Sequence, residues 1–474
     1  MTSTILQREL LHDAASRAER FLADLPERRV APEAEAIDRL AKGLGPSLPE
    51  RGRPALEVIR ELDELGSPAT IASAGPRFFG FVHGGALPAT VAASWLATAW
   101  DQNAFSFASS PTGVILEETV LGWMQSLFGL PASAAGALTT GATLANFTAL
   151  AAARHRLLAR AGWDVESKGL FGAPPIEVLV SAESHPTVRK ALALLGFGRD
   201  RVKVLPTDAQ GRIRVDAIPR FDGPTLVCAQ AGNVNSGAFD PFGPLAAACH
   251  DRDSWLHVDG AFGLWARASR EKQALAVDIE LADSWVTDAH KWLNVPYDCG
   301  VAFVRDADAL RAAMSIEAAY LPADGPREPF HYTPEASRRA RGVEVWAALR
   351  SLGREGVEAM IDRCCRHARR FAERIEEAGH EILNDVVLNQ VVVSFRADEA
   401  GEGETGEVEE GAAERNARII DSIQREGVCW CGPTLWQGRP AMRISVSNWA
   451  TDEDDVERSL ESILRAARAP RRTP

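Results

Sequence analysis

Short apolar runs separated by helical segments constrain the fold of this chain more than any other feature of its sequence. Six such runs cover residues 177–181, 201–205, 225–230, 255–258, 284–287 and 300–304. Most are continuous rather than alternating, which is typical of strands buried on both faces of a sheet. Because helical patterns such as 143–161 and 241–251 lie before and between them, the sequence predicts an α/β fold with a mostly parallel central sheet.

The remainder of the 474 residues carries different patterns on either side of these runs. A chain of this length usually divides into domains, because single hydrophobic cores stop growing at about 250–300 residues. We therefore predict an N-terminal helical segment at 1–75, a large domain at 76–345 and a small C-terminal α+β domain at 346–474.

The two flanking parts are interpreted from local composition. Residues 30–54 are rich in Pro and Gly and are expected to connect a first helix with a second at 56–65. These helices are too few to form a core, so they should pack on another domain or on a partner subunit. The C-terminal part predicts, in order, a helix at 345–379, a strand at 391–395, a mobile acidic loop at 397–411, a helix at 414–427, strands at 427–431 and 442–446, and a final helix after 452.

The charge balance excludes several classes of partner. The formal net charge is -13, which argues against nucleic acid and against an anionic membrane surface, since both attract basic proteins. No uncharged apolar stretch of about 18 residues exists, and the N-terminus lacks the apolar region of a signal peptide. We expect a cytoplasmic protein without a membrane or nucleic-acid partner, and no cysteine spacing suggests a metal site.

The main chemical signal is a lysine that follows an apolar run, in Asp288-Ala289-His290-Lys291-Trp292. Lysine is costly to bury unless it is neutralised or paired. An imine with a carbonyl cofactor removes the charge and uses the amine as a nucleophile. Taken alone, such a motif more often marks a surface lysine in a turn.

A second signal is Asp259, at the end of the run Trp255-Leu256-His257-Val258-Asp259 and before the small residues Gly260 and Ala261. The carboxyl ends of parallel strands are where α/β sheets place their ligands. A carboxylate at this edge suits the pyridine nitrogen of pyridoxal phosphate (PLP), because it keeps that nitrogen protonated. Small neighbours leave room for a flat ring. Capping of the next helix is the alternative.

Three further motifs are weak signals by themselves and support a cofactor site only together with Lys291 and Asp259. Ala142 and Thr143 begin a strong helix, whose free N–H groups suit a phosphate, although an ordinary N-cap is the commoner meaning. His185 follows a strand and is able to stack on a ring, or it is a plain loop residue. Asn233 and Asn235 offer amide donors to a phenolate or a substrate carboxylate, unless they only build a turn.

Taken in chain order, these motifs resemble those of the PLP-dependent group II amino-acid decarboxylases, which include aromatic-amino-acid, histidine and glutamate decarboxylases. The combination of His257-Val258-Asp259-Gly260-Ala261 with His290-Lys291-Trp292 is specific to that family. The resemblance covers about residues 76–446. It implies the PLP fold type I (aspartate-aminotransferase-like) architecture, pyridoxal 5'-phosphate as cofactor, an amino acid as substrate, and a homodimer with active sites near the subunit interface.

The resemblance also implies roles for individual residues. Lys291 matches the Schiff-base lysine, Asp259 the partner of the pyridine nitrogen and His185 the ring-stacking histidine. Four other positions match cofactor contacts, namely Ala142 and Thr143 at the phosphate, His290 beside the lysine, and Ala261 under the ring. Tyr320 matches the mobile-loop tyrosine that protonates Cα, which favours simple decarboxylation to the amine and carbon dioxide over oxidative aldehyde formation.

Several departures leave the substrate open. The family often has Asn-Pro-His-Lys where this chain has Asp288-Ala289-His290-Lys291. An aspartate would repel a phosphate, so no phosphate contact is assigned to Asp288. A region that lines the substrate pocket in the family is rich in aromatic residues here, which predicts an aromatic or bulky substrate unless they only pack in the core; the candidates are Phe79, Phe81, His83, Trp100 and Phe105. An aldehyde synthase, another carbon–carbon lyase, or a non-catalytic relative are the alternatives.

Overall fold

The computed structural model describes residues 3–45, 47–250, 254–315, 327–396 and 411–469. Its helices are α1 (Ser3–Asp24), α2 (Ala34–Gly43), α3 (Ala55–Ala69), α4 (Pro88–Trp100), α5 (Pro111–Phe128), α6 (Ala142–Arg160), α7 (Val165–Lys168), α8 (Pro186–Leu194), α9 (Phe242–His250), α10 (Ala307–Met314), α11 (Gly342–Glu377), α12 (Ala412–Glu426) and α13 (Glu453–Arg468). Its strands are β1 (Ala135–Thr139), β2 (Glu177–Ser181), β3 (Val202–Leu205), β4 (Thr225–Gln230), β5 (Trp255–Asp259), β6 (Ser284–Asp288), β7 (Gly300–Val304), β8 (Glu381–Ile382), β9 (Gln390–Ser394), β10 (Gly432–Trp436) and β11 (Arg439–Ser445).

A central sheet forms the larger of the two sheets in the described ranges, with the strand order β1-β7-β6-β5-β4-β2-β3. Strands β2, β3, β4, β5 and β6 run parallel to one another, whereas β7 runs antiparallel to both β1 and β6. Strands β4 to β7 are buried along their whole length, as the continuous apolar runs predicted. The predicted mostly parallel α/β architecture is confirmed.

Helix α6 lies against this sheet and directs its N-terminus toward the carboxyl ends of the parallel strands. Its buried face is built from small residues such as Ala145, Ala149 and Ala152, which allow the helix axis to approach the sheet closely. The start of the helix is equally tight, because a Cβ on Gly300 would collide with the backbone of Gly141. Close packing therefore fixes the helix N-terminus relative to β6 and β7.

A smaller antiparallel sheet, with the order β10-β11-β9-β8, lies in the C-terminal part. The strand predicted at 427–431 is wrong, since the strand begins at Gly432. Cys429 and Cys431 are both buried, which gives the alternating pattern typical of a strand. The backbone of Trp430 between them nevertheless pairs with residues 77–79 and not with the small sheet. Trp430 N donates to Arg77 O at 3.0 Å, and Phe79 N donates to Trp430 O at 2.8 Å. This bridge brings residues 77–79 beside the small sheet.

The N-terminal segment contains one helix more than predicted. Helix α2 lies inside the stretch interpreted as a connection, because Pro and Gly at both ends concealed a ten-residue amphipathic pattern that buries Ala36. Helices α1 and α3 are joined by an ion pair between Arg17 and Asp63 at 3.0 Å. None of the helices in the described ranges combines the length and hydropathy needed to cross a membrane.

Candidate active site

A cavity of about 240 Å³ opens at the carboxyl edge of the central sheet. It collects six residues that sequence patterns selected from distant parts of the chain, together with four others. The full lining is Thr140, Gly141, Ala142, Thr143, His185, Thr187, Ala261, Asp288, His290 and Lys291. Gly84 borders the same region, since a Cβ there would collide with the carbonyl oxygen of Lys291.

Asp288 holds the lysine and the helix N-terminus together. Its Oδ1 accepts a hydrogen bond from Ala142 N at 2.6 Å, and its Oδ2 lies 3.1 Å from Lys291 Nζ. The Asp288 side chain is only 3 % exposed. A helix N-terminus attracts anions through its free N–H groups and its dipole. The carboxylate of Asp288 therefore lies at the N-terminus of α6, where the sequence analysis predicted a phosphate.

Two histidines of the cavity have fixed ring orientations. Cys299 N donates to His290 Nδ1 at 3.1 Å, which leaves the proton of the neutral ring on Nε2. Thr187 Oγ1 lies 2.7 Å from His185 Nδ1, and Thr187 N donates to the same atom at 3.4 Å. Burial lowers the pKa of both imidazoles, although Asp288 opposes this for His290 and Asp259 opposes it for His185. Both rings are thus set to present a neutral Nε2–H.

Asp259 ends β5 next to the cavity and is 6 % exposed. Its Oδ1 accepts from Ala261 N at 3.1 Å, and its Oδ2 accepts from Asn146 Nδ2 at 3.4 Å. Each carboxylate oxygen therefore receives one N–H donor from the protein. Asn146 was not found by sequence analysis, because a single asparagine inside a helix carries no motif.

The two predicted amides of the loop after β4 do not line the cavity. Asn233 Oδ1 accepts from Asn235 N at 2.8 Å and from Ser236 N at 3.1 Å, which is a local turn of the kind asparagine favours. Asn235 Oδ1 accepts from Thr434 Oγ1 at 2.6 Å. Asn233 Nδ2 is buried without a hydrogen-bond partner in the described part of the chain, so one donor stays available.

Three of the five predicted pocket aromatics lie elsewhere. Phe79 is 1 % exposed in the core, with its ring 5.1 Å from that of Phe371. Trp100 is 45 % exposed at the end of α4. Phe105 packs near Phe330, with ring centroids 6.0 Å apart. Spacing along the sequence does not show which of several neighbouring rings points into a pocket. A ring in this region can equally pack in the core or lie at the surface, as these three do.

The other two predicted aromatics stay close to the cavity. Burial lowers the pKa of His83, and the nearby His290 and Lys291 lower it further. Its ring lies 5.3 Å from that of Tyr297, and the Phe81 ring lies 5.1 Å from that of Trp430. Tyr297 also lies 4.4 Å from His290, ring to ring. Sequence analysis missed Tyr297 and Trp430, because only tertiary contacts bring their rings next to His83 and Phe81.

Three arginines differ in whether a carboxylate of the described chain pairs with them. Arg338 pairs with Glu117 at 2.8 Å and Arg341 with Asp298 at 2.9 Å, so their charges are neutralised within the chain. Arg443 on β11 donates to Val234 O at 3.2 Å and has no acidic partner within the described ranges. Burial lowers the pKa of its guanidinium to about 10, and its charge lowers the pKa of His185. Arg443 is therefore a partly buried cation beside the loop after β4 that the sequence did not reveal.

These groups fit pyridoxal phosphate on chemical grounds. The cavity offers an amine for an aldehyde, a helix N-terminus for a phosphate and a buried carboxylate for a ring nitrogen. Tyr320 lies outside the described residues, as do residues 397–410 of the predicted acidic loop. A site with this combination of groups at the edge of such a sheet places the chain among the PLP enzymes of fold type I.

Comparison with known proteins then gives the family. Residues 38–398 match the pyridoxal-dependent decarboxylase conserved domain, so the chain belongs to the pyridoxal-dependent decarboxylase family. It is a PLP-dependent carboxy-lyase that acts on an amino acid, as the sequence motifs predicted.

Relatives within this family differ in substrate. The L-2,4-diaminobutyrate decarboxylase of Rhizobium meliloti (strain 1021) is 31% identical over 454 residues, covering 92% of this chain and 84% of that protein. The aromatic-L-amino-acid decarboxylase of Bacillus atrophaeus is 28% identical over 452 residues, covering 91% and 90%. The crystal structure of Oryza sativa TDC with PLP and tryptamine matches with a TM-score of 0.87 and 25% identity over 97% of both chains.

Asp288 leads to a testable expectation about cofactor affinity. In Asp288→Asn, the side chain keeps its shape but no longer competes as an anion with the phosphate for Ala142 N–H and Lys291. Removing one like charge at a partly solvated site is worth about 1–2 kcal/mol, so the PLP dissociation constant should fall about tenfold. Titration of the apoenzyme, followed by PLP absorbance, measures it.

A matched variant separates this effect from general surface charge. Asp298 is also acidic and lies near the cavity, but its side chain is 42 % exposed and pairs with Arg341. Asp298→Asn should leave PLP affinity unchanged. Weaker PLP binding by Asp288→Asn would show instead that Asp288 supports the cofactor.

Proposed function

We propose that this chain decarboxylates an L-amino acid with an aromatic or otherwise bulky side chain to the amine and carbon dioxide. The observation that carries the substrate assignment is an aromatic wall beside His290, whose ring lies 4.4 Å from that of Tyr297. We use this name for Phe81, His83, Tyr297 and Trp430, whose rings lie 5.1–5.9 Å from their neighbours. Such a wall offers stacking and dispersion contacts to a flat or large side chain.

The cofactor contacts are proposed from the geometry of the cavity. Lys291 would hold the cofactor covalently, and the N–H groups of Ala142 and Thr143 would receive its phosphate. Bound PLP supplies an electron-accepting ring for the carbon–carbon bond cleavage. Asp259 would keep the ring nitrogen protonated, and His185 would lie on the ring face.

Arg443 is the proposed partner of the substrate carboxylate. A partly buried guanidinium without an acidic partner in the described ranges loses part of its hydration, and an incoming carboxylate would offset that cost. Charge-assisted pairing would orient the carboxylate before it leaves as carbon dioxide. Asn233 Nδ2, which is buried and has no hydrogen-bond partner among the described residues, is available as a second donor in the same loop region.

Tyr320 is proposed to donate the proton that Cα receives after carbon dioxide leaves. This role follows from the resemblance to the family. In Tyr320→Phe, the hydroxyl is lost while the ring remains, so we expect product to shift from the amine toward the aldehyde, ammonia and peroxide. Quantification of amine, aldehyde and peroxide from one reaction measures the partition. An unchanged amine yield would refute the acid role.

The substrate proposal is tested with the wild-type enzyme and a panel of L-amino acids. Carbon dioxide release should be fastest with tryptophan, phenylalanine, tyrosine or another bulky residue, and slow with 2,4-diaminobutyrate, glutamate and aspartate. In Tyr297→Leu, KM should rise more for the best aromatic substrate than for a small one. Release from 2,4-diaminobutyrate alone would overturn the aromatic assignment and leave the decarboxylase class intact.

We also propose a cytoplasmic homodimer and retain the domain division at about residues 75 and 345. Large apolar side chains on the N-terminal helices and on α4 support the dimer, because they stay exposed in the single chain. They include Leu11, Leu22, Val58, Leu62, Trp95 and Leu96.

A further inference from the structure

A line of hydrogen-bonded side chains runs through the core behind Asp259. Trp255 Nε1 lies 2.9 Å from Ser284 Oγ, which lies 2.9 Å from His257 Nδ1. His257 Nε2 lies 2.7 Å from Asn146 Oδ1, and Asn146 Nδ2 lies 3.4 Å from Asp259 Oδ2. Three secondary-structure elements, β5, β6 and α6, contribute to this line.

The direction of every hydrogen bond in the line is fixed by its two ends. The indole of Trp255 only donates, and the carboxylate of Asp259 only accepts. Because Asp259 only accepts, the amide NH₂ of Asn146 faces it, and Asn146 Oδ1 accepts from His257 Nε2–H. The neutral imidazole of His257 then accepts at Nδ1 from the hydroxyl of Ser284, which itself accepts from the indole.

Burial makes this arrangement rigid. The five side chains are between 0 and 6 % exposed, so water does not compete for their hydrogen bonds. Burial also lowers the pKa of His257 to about 3, which keeps its imidazole neutral and able to donate and accept at once. A fully satisfied buried network restricts its members to one arrangement.

We propose that Trp255, Ser284, His257 and Asn146 are positioning residues that aim the Asp259 carboxylate at the pyridine nitrogen of the cofactor. The inference rests on the proposed role of Asp259. Ala261 N binds one carboxylate oxygen and Asn146 the other, so the plane of the carboxylate is set from two sides. An untethered carboxylate would rotate and protonate the ring nitrogen less completely.

The alternative is that the line only satisfies polar groups in the core, as most buried hydrogen bonds do. Stability alone does not distinguish the two, because both interpretations predict a less stable protein when a link is removed. The protonation state of the cofactor nitrogen does, since only the positioning role connects His257 to it.

The experiment uses holoenzyme reconstituted with PLP labelled with ¹⁵N in the ring, observed by NMR. His257→Phe removes the donor and the acceptor, and the ring-nitrogen resonance should move from the protonated toward the unprotonated range. The kcat should fall about tenfold, the loss expected for one misplaced buried hydrogen bond, with little change in KM. His257→Gln restores an N–H donor toward Asn146 and should recover most of the shift and of kcat.

Two further variants guard against loss of folding. Cys228 is buried beside His257 in the register of β4 and β5, and Cys228→Ala should leave the resonance and kcat unchanged. Asn146→Leu with His257→Phe removes both partners of a link, which costs less stability than removing one, and should show the same resonance shift.

The outcomes separate the two proposals. A protonated ring nitrogen in the wild type that stays protonated in His257→Phe and in the double variant overturns the positioning role. An unprotonated ring nitrogen in the wild type, with PLP bound to Lys291, overturns the role of Asp259 itself.

Discussion

Replacing Lys291 with alanine will abolish turnover and leave no cofactor that borohydride can attach to the protein. The amine lies in the cavity, 3.1 Å from Asp288 Oδ2, with its side chain 19 % exposed. No other lysine lines the cavity, so none in the described part of the chain can replace its amine. Loss of a covalent catalyst costs many orders of magnitude in rate.

The measurement combines carbon dioxide release, PLP absorbance near the visible edge and mass spectrometry after borohydride reduction. Lys203→Ala is a suitable control, because that lysine is exposed on β3 and pairs with Glu177. The control should retain activity and the reduced adduct at Lys291. Turnover by Lys291→Ala, or an adduct at a different lysine, would sink the assignment.

The strands of the large sheet were predictable because burial on both faces leaves a strong local signal. Residues 177–181, 225–230 and 300–304 were assigned with the observed bounds. Strand β1 was missed, since Ala135-Gly136-Ala137 lacks the bulky β-branched residues that mark a strand. It is placed by pairing with β7, a contact between residues far apart in the chain.

Residue types in the candidate site were predictable, but their contacts were not. The motifs around Lys291, Asp259, His185 and Ala142 each follow or precede an apolar element, so topology brings them to one edge. The sequence does not show that Asp288 turns toward Ala142 N, because a side-chain rotamer depends on neighbours from other elements. The same applies to His257, whose partners come from α6 and β6.

The substrate side is less predictable for a related reason. Phe79 and Phe81 are two positions apart, yet one is 1 % and the other 59 % exposed. The exposed ring reaches Trp430, which the bridge between 78 and 430 carries into place. The proposed pocket wall is assembled from separate segments and therefore has no signature in the linear sequence.

Substituting Asp259 with asparagine will lower kcat about a thousandfold while the protein still binds PLP. Asparagine keeps the shape and can accept from Ala261 N, but it carries no charge. At hydrogen-bonding contact and an effective dielectric constant of about 20, the attraction between a carboxylate and a protonated ring nitrogen is worth about 4 kcal/mol. Its loss corresponds to about three orders of magnitude in rate.

The rate is measured by single-turnover carbon dioxide release, so that product release does not mask it. Asp283→Asn is the control, because Asp283 Oδ2 accepts from Leu256 N at 2.8 Å at the opposite end of β6 and burial raises the pKa of its carboxyl. It should keep the wild-type kcat. A loss of only a few-fold in Asp259→Asn would mean that the carboxylate orients the ring without supplying charge, because the neutral amide keeps the hydrogen bond from Ala261 N while it removes the charge.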